Sequence, residues 1–168
     1  MKDENGFSAK CKKMNVLNIE ASFFRKCTDT ANPQTVNLLT YLRSEDHRAA
    51  VERVRAVEDK KKRDRLKKAL LPGITPGGVF TYRDETGLVK PSGLMAGDID
   101  FVDNPYNPET IKRQVAKIPN IAYCGLSASG RGLWFLVDTG LADVFLPELP
   151  ALRLEVDEHH RHKDVYEH

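Results

Sequence analysis

Two aspartates separated by one residue are the sharpest chemical feature of this sequence. Asp98 and Asp100 end the apolar run GLMAGDID at residues 93–100. In a β-strand, residues i and i+2 point to the same face, so the two carboxylates project together while Ile99 faces the other way. A divalent cation relieves their repulsion and keeps coordination sites for phosphate oxygens. The spacing indicates a Mg²⁺ or Mn²⁺ site for phosphoryl or nucleotidyl transfer; the alternative is an ordinary acidic strand end.

A second candidate is the segment SASGRG at residues 127–132, which lies between two predicted strands. Glycines allow backbone N–H groups to face a ligand, serines add donors, and an arginine grips phosphate with a planar fork. Ser127, Ser129, Gly130 and Arg131 are therefore candidate nucleotide-binding residues. The alternative is a plain hairpin turn with an exposed arginine.

A third candidate is the charged run KKKRDRLKK at residues 60–68. Phosphate-backbone contact requires positive charge and no base-specific geometry, so such a run predicts nucleic-acid binding. The alternative is a solvated helix face. The seven candidate DNA-binding residues are Lys60, Lys61, Lys62, Arg63, Arg65, Lys67 and Lys68.

Cysteine and histidine patterns do not indicate another metal site. The three cysteines, Cys11, Cys27 and Cys124, are widely spaced, which is typical of reduced thiols. His160 and His168 share a helical face with Asp164, but this stretch is strongly polar. We interpret it as a solvated helix.

Composition favours a globular cytoplasmic protein. The chain has 168 residues, of which 40% are apolar and 30% are charged. That length is enough for one ordinary domain with its own core. No apolar run approaches the roughly 20 residues that span a bilayer, and the polar start does not resemble a signal peptide. We expect no membrane association.

Hydrophobic periodicity predicts the helices and strands on which the candidate site residues lie. Residues 1–20 are predicted to be a poorly ordered terminus, although a strand or strand pair is expected over Val16–Lys26. A helical block is predicted over Thr35–Leu71, with Thr30 or Asn32 as its cap and Ser44 capping its second helix. The cluster LPGITPGG ends this block, because prolines and glycines cannot continue a helix.

Strands dominate the second half of the sequence. They are predicted over Gly78–Arg83, Gly93–Asp100, Ile121–Leu126 and Gly132–Val137, with a helix over Asn107–Lys117 and another over Asp157–His168. The Gly93–Asp100 strand reads as a buried central strand. The order indicates an α+β fold, with an N-terminal helical region packed on a mixed or antiparallel sheet.

Four segments in this order resemble the N-terminal domain found in VirE-type proteins of mobile elements. They are VERVRAVEDKKKRDRLKKALLPGITPGGVF (residues 51–80), GLVKPSGLMAGDID (87–100), AYCGLSASGRGLWFLV (122–137) and EHHRHKDVYEH (158–168). The resemblance covers the chain from about Ala21 onward and defines a domain over residues 21–168.

That family is a divergent relative of the archaeo-eukaryotic primase-polymerase module. The resemblance implies an RRM-like sheet, metal binding and catalysis by Asp98 and Asp100, and a nucleoside triphosphate held by the SASGRG segment. It also implies DNA and a C-terminal helicase or primase-type domain as partners. Two departures weaken the expectation of catalysis. No histidine follows in GRGLWFLV, and the third acid of active primases is expected on a later strand, beyond the end of this chain.

Three functions therefore remain open at the level of sequence. One is metal-dependent nucleotidyl transfer, or a relic of it, in the DNA replication of a mobile element. The second is a non-catalytic module that binds DNA or nucleotide and is attached to a helicase or primase, and the third is a protein-interaction domain that recruits such an attached domain. The retained DxD pair favours the first, and the missing histidine favours the second.

Overall fold

The structure, a computed structural model, describes residues 16–101 and 107–140. Its strands are β1 (Glu20–Phe24), β2 (Gln34–Asn37), β3 (Gly73–Thr75), β4 (Gly78–Phe80), β5 (Leu88–Pro91), β6 (Leu94–Asp100), β7 (Ile121–Leu126) and β8 (Gly132–Asp138). Its helices are α1 (Leu38–Arg43), α2 (Arg48–Arg55), α3 (Lys60–Leu70) and α4 (Pro108–Val115), with a 3-10 turn at Glu85–Gly87. The predicted α+β class is confirmed, and all the strand pairings are antiparallel.

The strands form three small sheets. The first has the order β2-β1-β3, the second pairs β4 with β5, and the third has the order β6-β8-β7. Ser22 on β1 joins the first two sheets, because its buried hydroxyl oxygen accepts a hydrogen bond of 2.8 Å from the Phe80 backbone N–H. The first two sheets therefore meet through β1.

Three short strands were not predicted from the sequence. Residues 34–37 form β2 instead of the start of a helix, since Thr35 and Val36 are β-branched and pair with β1. Gly73–Thr75 forms β3 within the proline-glycine cluster, where we predicted only a helix stop. Leu88–Pro91 forms β5.

The predicted helix caps were also wrong. Asn37, the last residue of β2, caps α1, and its side-chain oxygen accepts a hydrogen bond of 3.0 Å from the Thr40 N–H. Ser44 instead accepts a bond of 3.0 Å from the Asp46 N–H, in the turn before α2 begins. The cap at Asn107 and the proline at the start of α4 lie where that helix was predicted.

The third sheet carries the aspartate pair. Strands β6 and β7 lie on either side of β8, which runs antiparallel to both, and α4 connects β6 to β7. This split β-α-β arrangement is the first half of a ferredoxin-like β-α-β-β-α-β fold, the topology expected of an RRM-like sheet. Among the described residues β6 is an edge strand, whereas we expected a central one.

One hydrophobic core joins the N-terminal elements to the third sheet. Leu17, Ala21 and Leu38 pack in the same buried cluster as Leu94 of β6 and Leu136 of β8. Leu17 belongs to this core although it precedes the predicted domain boundary at residue 21. Residues 1–15 of the terminus predicted over residues 1–20, and the helix predicted over Asp157–His168, lie outside the described residues. Within the described ranges, no helix is long and apolar enough to cross a membrane.

Candidate functional site

The two aspartates lie on one face of the third sheet. In the β6–β8 register, Asp98 is opposite Trp134 and Asp100 is opposite Gly132. Strand alternation places both carboxylates on the face that carries Trp134, with Ile99 on the face beneath. Both aspartates are exposed. The same-face geometry predicted from the DxD spacing is therefore present.

Glycines allow the strands to approach closely beside these aspartates. A Cβ added at Gly132 would lie 2.6 Å from the Ile99 carbonyl oxygen and 3.1 Å from Asp100 Oδ1. A Cβ at Gly97 would lie 2.5 Å from the Phe135 ring. At Gly132 the contact is with backbone, so that position requires glycine for the observed pairing, whereas at Gly97 the Phe135 ring would have to move. The position of Asp100 thus depends on a residue of the neighbouring strand.

A cleft of about 870 Å³ opens over this face of the sheet. Asp98 and Trp134 contribute its sheet wall, and α1, α2 and the loop between them contribute the opposite wall. Its charged lining residues are Arg43, Arg48, Arg55, Lys67, Glu45, Glu52 and Asp98. The lining thus has four basic and three acidic side chains, and Arg48 and Glu45 pair with each other.

Aromatic rings supply much of the remaining lining. Tyr123 and Trp134 contact edge to face with ring centroids 5.6 Å apart, and both line the cleft. Across the opening, Tyr41 and His47 form a ring cluster with Phe23. Burial, and less strongly the neighbouring Tyr123, raises the pKa of the Tyr41 phenol above its ordinary value. This phenol therefore stays neutral at physiological pH and can donate a hydrogen bond.

The SASGRG segment forms a tight hairpin turn between β7 and β8. The Ser127 N–H donates to the Gly132 carbonyl at 2.8 Å, the Gly130 N–H donates to the Ser127 carbonyl at 2.8 Å, and the two serine hydroxyls lie 3.0 Å apart. Gly130 has φ +70°, a left-handed conformation that favours glycine. Of the four predicted nucleotide-binding residues, Ser127 lines the cleft, whereas Arg131 is exposed with its N–H 3.3 Å from Ser129 Oγ.

Helix α3 contains the basic run, and its residues differ in exposure. Asp59 caps the helix by accepting a hydrogen bond of 2.7 Å from the Lys62 N–H. Arg63 is 7% exposed and donates to the carbonyls of Val57 and Glu58, so its guanidinium holds the preceding loop. Lys67 lines the cleft. The remaining five basic side chains are exposed: Lys60, Lys61, Lys62, Arg65 and Lys68.

The residues that sequence reasoning missed lie on α1, α2 and the loop between them. Tyr41, His47, Arg48 and Arg55 all line the cleft. The spacing of Arg48, Val51 and Arg55 does indicate one helix face. The sequence does not show which surface that face meets, because the third sheet follows almost forty residues later.

The donor chemistry of the aspartate pair fits a hard divalent cation only in part. Two carboxylates supply oxygen ligands of the type that Mg²⁺ and Mn²⁺ prefer, and such ions complete their coordination with water and phosphate oxygens. Within residues 16–101 and 107–140, no group of three or more potential metal ligands is present. The site therefore suits a metal ion that takes some of its ligands from the protein and others from a bound phosphate compound. It does not suit an ion held by protein ligands alone.

Sequence comparison identifies the protein family to which the chain belongs. A profile described as the BT4734-like, N-terminal domain matches residues 65–168, more than half of the chain. The chain belongs to the BT4734-like N-terminal domain family. The resemblance to VirE-type N-terminal domains is thereby confirmed at the level of a related family. No curated protein and no solved structure shows a significant match.

Only part of the candidate site lies within the segment that matches the BT4734-like profile. It begins at Arg65 within α3 and includes the aspartate pair, Trp134 and the hairpin turn. Helices α1 and α2, which form the opposite wall of the cleft, precede the matched segment. The cleft therefore combines family residues with residues from the N-terminal region.

Proposed function

We propose that this chain is a primase-polymerase-like domain that binds a nucleoside triphosphate with a divalent metal, and DNA, in the replication of a mobile element. The observation that carries the proposal is the position of the aspartate pair. Asp98 and Asp100 share one sheet face, and Asp98 borders an aromatic-lined cleft with four basic and three acidic side chains. Carboxylates that face arginine and lysine side chains suit a ligand that is itself a metal–phosphate complex.

Each group has a distinct role under this proposal. Asp98 and Asp100 would hold Mg²⁺ or Mn²⁺, which when bound would neutralise the phosphate charge that develops during nucleotidyl transfer. Trp134 and Tyr123 offer aromatic surface to the base. Ser127 lies where a phosphate oxygen could accept its hydroxyl hydrogen bond, and Ser129, Gly130 and Arg131 would keep the turn in shape or reach the phosphates from outside the cleft.

The exposed basic face of α3 is the proposed DNA contact. Lys61, Arg65 and Lys68 follow one another at spacings of four and three residues, so they form one stripe on the helix. Phosphate contacts by such a stripe position a strand without reading its sequence. Arg63 is buried and holds the loop before the helix, so the proposed DNA contact involves Lys61, Arg65 and Lys68 and not Arg63.

Binding without transfer is the second candidate function. The segment that follows the hairpin turn reads GLWFLV, where the resemblance would place a histidine that contacts the triphosphate. Such a module would retain the cleft and the basic helix, and in a longer protein it would present DNA or nucleotide to an attached helicase or primase domain.

Metal binding is tested by titrating Mn²⁺ calorimetrically into the protein. We expect the wild type to bind and the Asp98→Asn/Asp100→Asn double variant to give no detectable binding heat, because amide oxygens carry no charge to offset the cation. Asp138→Asn is the matched control, since Asp138 lies on the same face at the opposite end of the sheet. Equal binding by the wild type and the double variant would remove the metal from the proposal.

DNA binding is tested by charge reversal on α3. We expect a Lys61→Glu/Arg65→Glu/Lys68→Glu variant to bind all single-stranded sequences more weakly and alike. Its slope of log affinity against log salt should fall by about two, since each phosphate contact contributes about 0.7. Fluorescence anisotropy at several salt concentrations measures both quantities.

A triple reversal on α4 controls for net charge alone. Lys112, Arg113 and Lys117 lie in or directly after that helix, outside the proposed contact. Reversing them changes the total charge equally. If both triple variants lose affinity to the same extent, or if neither does, the basic run on α3 is a solvated face.

A further inference from the structure

Helix α2 turns a single face toward the cleft. Arg48, Val51, Glu52 and Arg55 all line it, and their spacing of three, four and seven residues places them on one side of the helix. This helix precedes the segment matched by the family, which begins at residue 65. Two guanidinium groups therefore border the same cleft as the metal-site carboxylate, from a helix that has no assigned role.

The two arginines differ in their partners. Arg48 forms an exposed ion pair with Glu45, with 2.8 Å between Nη2 and Oε1. Arg55 instead donates from Nη2 to the Ser127 carbonyl oxygen at 3.2 Å. A Cβ added at Gly130 would lie 3.4 Å from Arg55 Nε, so the arginine side chain runs alongside the hairpin turn. Of these two guanidinium groups, only that of Arg55 is positioned by the turn.

The hydrogen-bond capacity of Arg55 exceeds what the protein uses. A guanidinium has five N–H donors in a fixed fork. Within residues 16–101 and 107–140, the structure shows one hydrogen bond from this side chain. Arg55 is exposed and lines the cleft, so its remaining donors are available to an anion while one donor holds the side chain at the turn.

We propose that Arg55 binds the polyphosphate chain of a nucleoside triphosphate in this cleft. The inference rests on the proposed function for the ligand class, and it adds a phosphate-binding wall from outside the family segment. A cleft of about 870 Å³ lies within the range of roughly 300–1,000 Å³ that small-molecule sites occupy. Asp98 and Arg55 line the same cleft, so one polyphosphate can meet both a bound cation and the guanidinium.

A purely structural role for Arg55 makes different predictions. If the side chain only secures the hairpin turn, its replacement lowers stability and does not discriminate between ligands with and without phosphate. If it binds phosphate, its replacement weakens binding of triphosphates and leaves the binding of deoxyadenosine unchanged.

The test measures binding of dATP, of inorganic tripolyphosphate and of deoxyadenosine to Arg55→Ala, Arg55→Lys and wild-type protein. The single tryptophan of the chain, Trp134, lines the cleft, so its fluorescence reports tripolyphosphate binding, while calorimetry reports dATP binding. Each titration is run with Mn²⁺ and again with a chelator. Arg53→Ala is the matched control, since Arg53 is an exposed arginine on the same helix.

We expect Arg55→Ala to raise the dissociation constants of both phosphate ligands about ten- to hundredfold, with and without metal. Arg55→Lys should fall between Arg55→Ala and wild type, because it keeps the charge and loses the planar fork. Arg53→Ala should bind as wild type does. If Arg55→Ala fails to fold by circular dichroism, Arg55→Lys decides, and affinity equal to wild type would overturn the inference.

Two results separate this inference from the proposed function. If wild type binds dATP, Asp98→Asn weakens that binding in Mn²⁺, and Arg55→Ala binds like Arg53→Ala, the inference is wrong and the proposed function stands. If wild-type protein binds neither phosphate ligand, both are wrong.

Discussion

Replacing Leu136 with alanine is expected to lower the free energy of unfolding by about 2–5 kcal/mol, the usual cost of deleting a fully buried leucine side chain. Leu136 is 0% exposed and packs in one cluster with Leu17, Ala21 and Leu38. It therefore links β8 to the N-terminal elements. A loss of that size is a large part of the roughly 5–15 kcal/mol that stabilises a typical domain.

Urea unfolding followed by circular dichroism and by Trp134 fluorescence measures this effect. Because Trp134 packs against the cluster, both signals should shift to lower urea together. Met95→Ala is the control: Met95 lies on the same sheet but is 42% exposed, so its loss should change stability by less than about 0.5 kcal/mol. Separate transitions for the two signals would show that the N-terminal helices and the third sheet unfold independently, contrary to a shared core.

Primer synthesis by this chain is expected to be at least about a hundredfold slower than that of an active primase-polymerase with a complete site, the usual cost of losing one well-placed donor. Nucleotidyl transfer depends on neutralising charge at the triphosphate and the attacking oxygen. Two aspartates provide part of the ligand set, and the sequence after the hairpin turn lacks the histidine. Arg131 supplies charge at that turn without the geometry of an imidazole.

The assay uses Mn²⁺, labelled nucleotides and a single-stranded template, with Asp98→Asn as the control for contaminating polymerase. Fast synthesis that Asp98→Asn abolishes would contradict this expectation and would establish the chain as a competent enzyme. No detectable primer synthesis, together with retained DNA binding, would favour the non-catalytic module.

Sequence patterns predicted the elements whose formation is encoded locally. The alternation in β6 and β8 fixed the face of each aspartate, and the Asn107-Pro108 pair fixed the start of α4. Strands β2, β3 and β5 were missed because each has only three or four residues. Such strands exist because a partner strand satisfies their backbone groups, and pairing partners are not visible in a local window.

The candidate site was predictable only on its sheet side. The sequence singled out Asp98, Ser127 and Lys67, but the opposite wall is formed by α1, α2 and the loop between them, which are distant along the chain and include Arg48 and Arg55. Arg63 was predicted from the sequence to be an exposed DNA-binding residue of the basic run, but its side chain is buried. Its burial depends on the carbonyls of the preceding loop, a tertiary contact that residue type alone does not reveal.

Among the strands that the structure describes, β6 lies at the edge of its sheet, and this position has a consequence for the behaviour of the protein in solution. An edge strand presents hydrogen-bonding groups that can recruit a second copy of the chain, and charged side chains discourage such self-association. On β6 that charge comes from Asp98 and Asp100, the only charged residues in LMAGDID. If β6 is also an edge strand in solution, we expect the same carboxylates to disfavour self-association through this strand. Their double replacement leaves an uncharged edge, and light scattering must establish that the variant remains monomeric before its loss of Mn²⁺ binding is read as loss of a ligand.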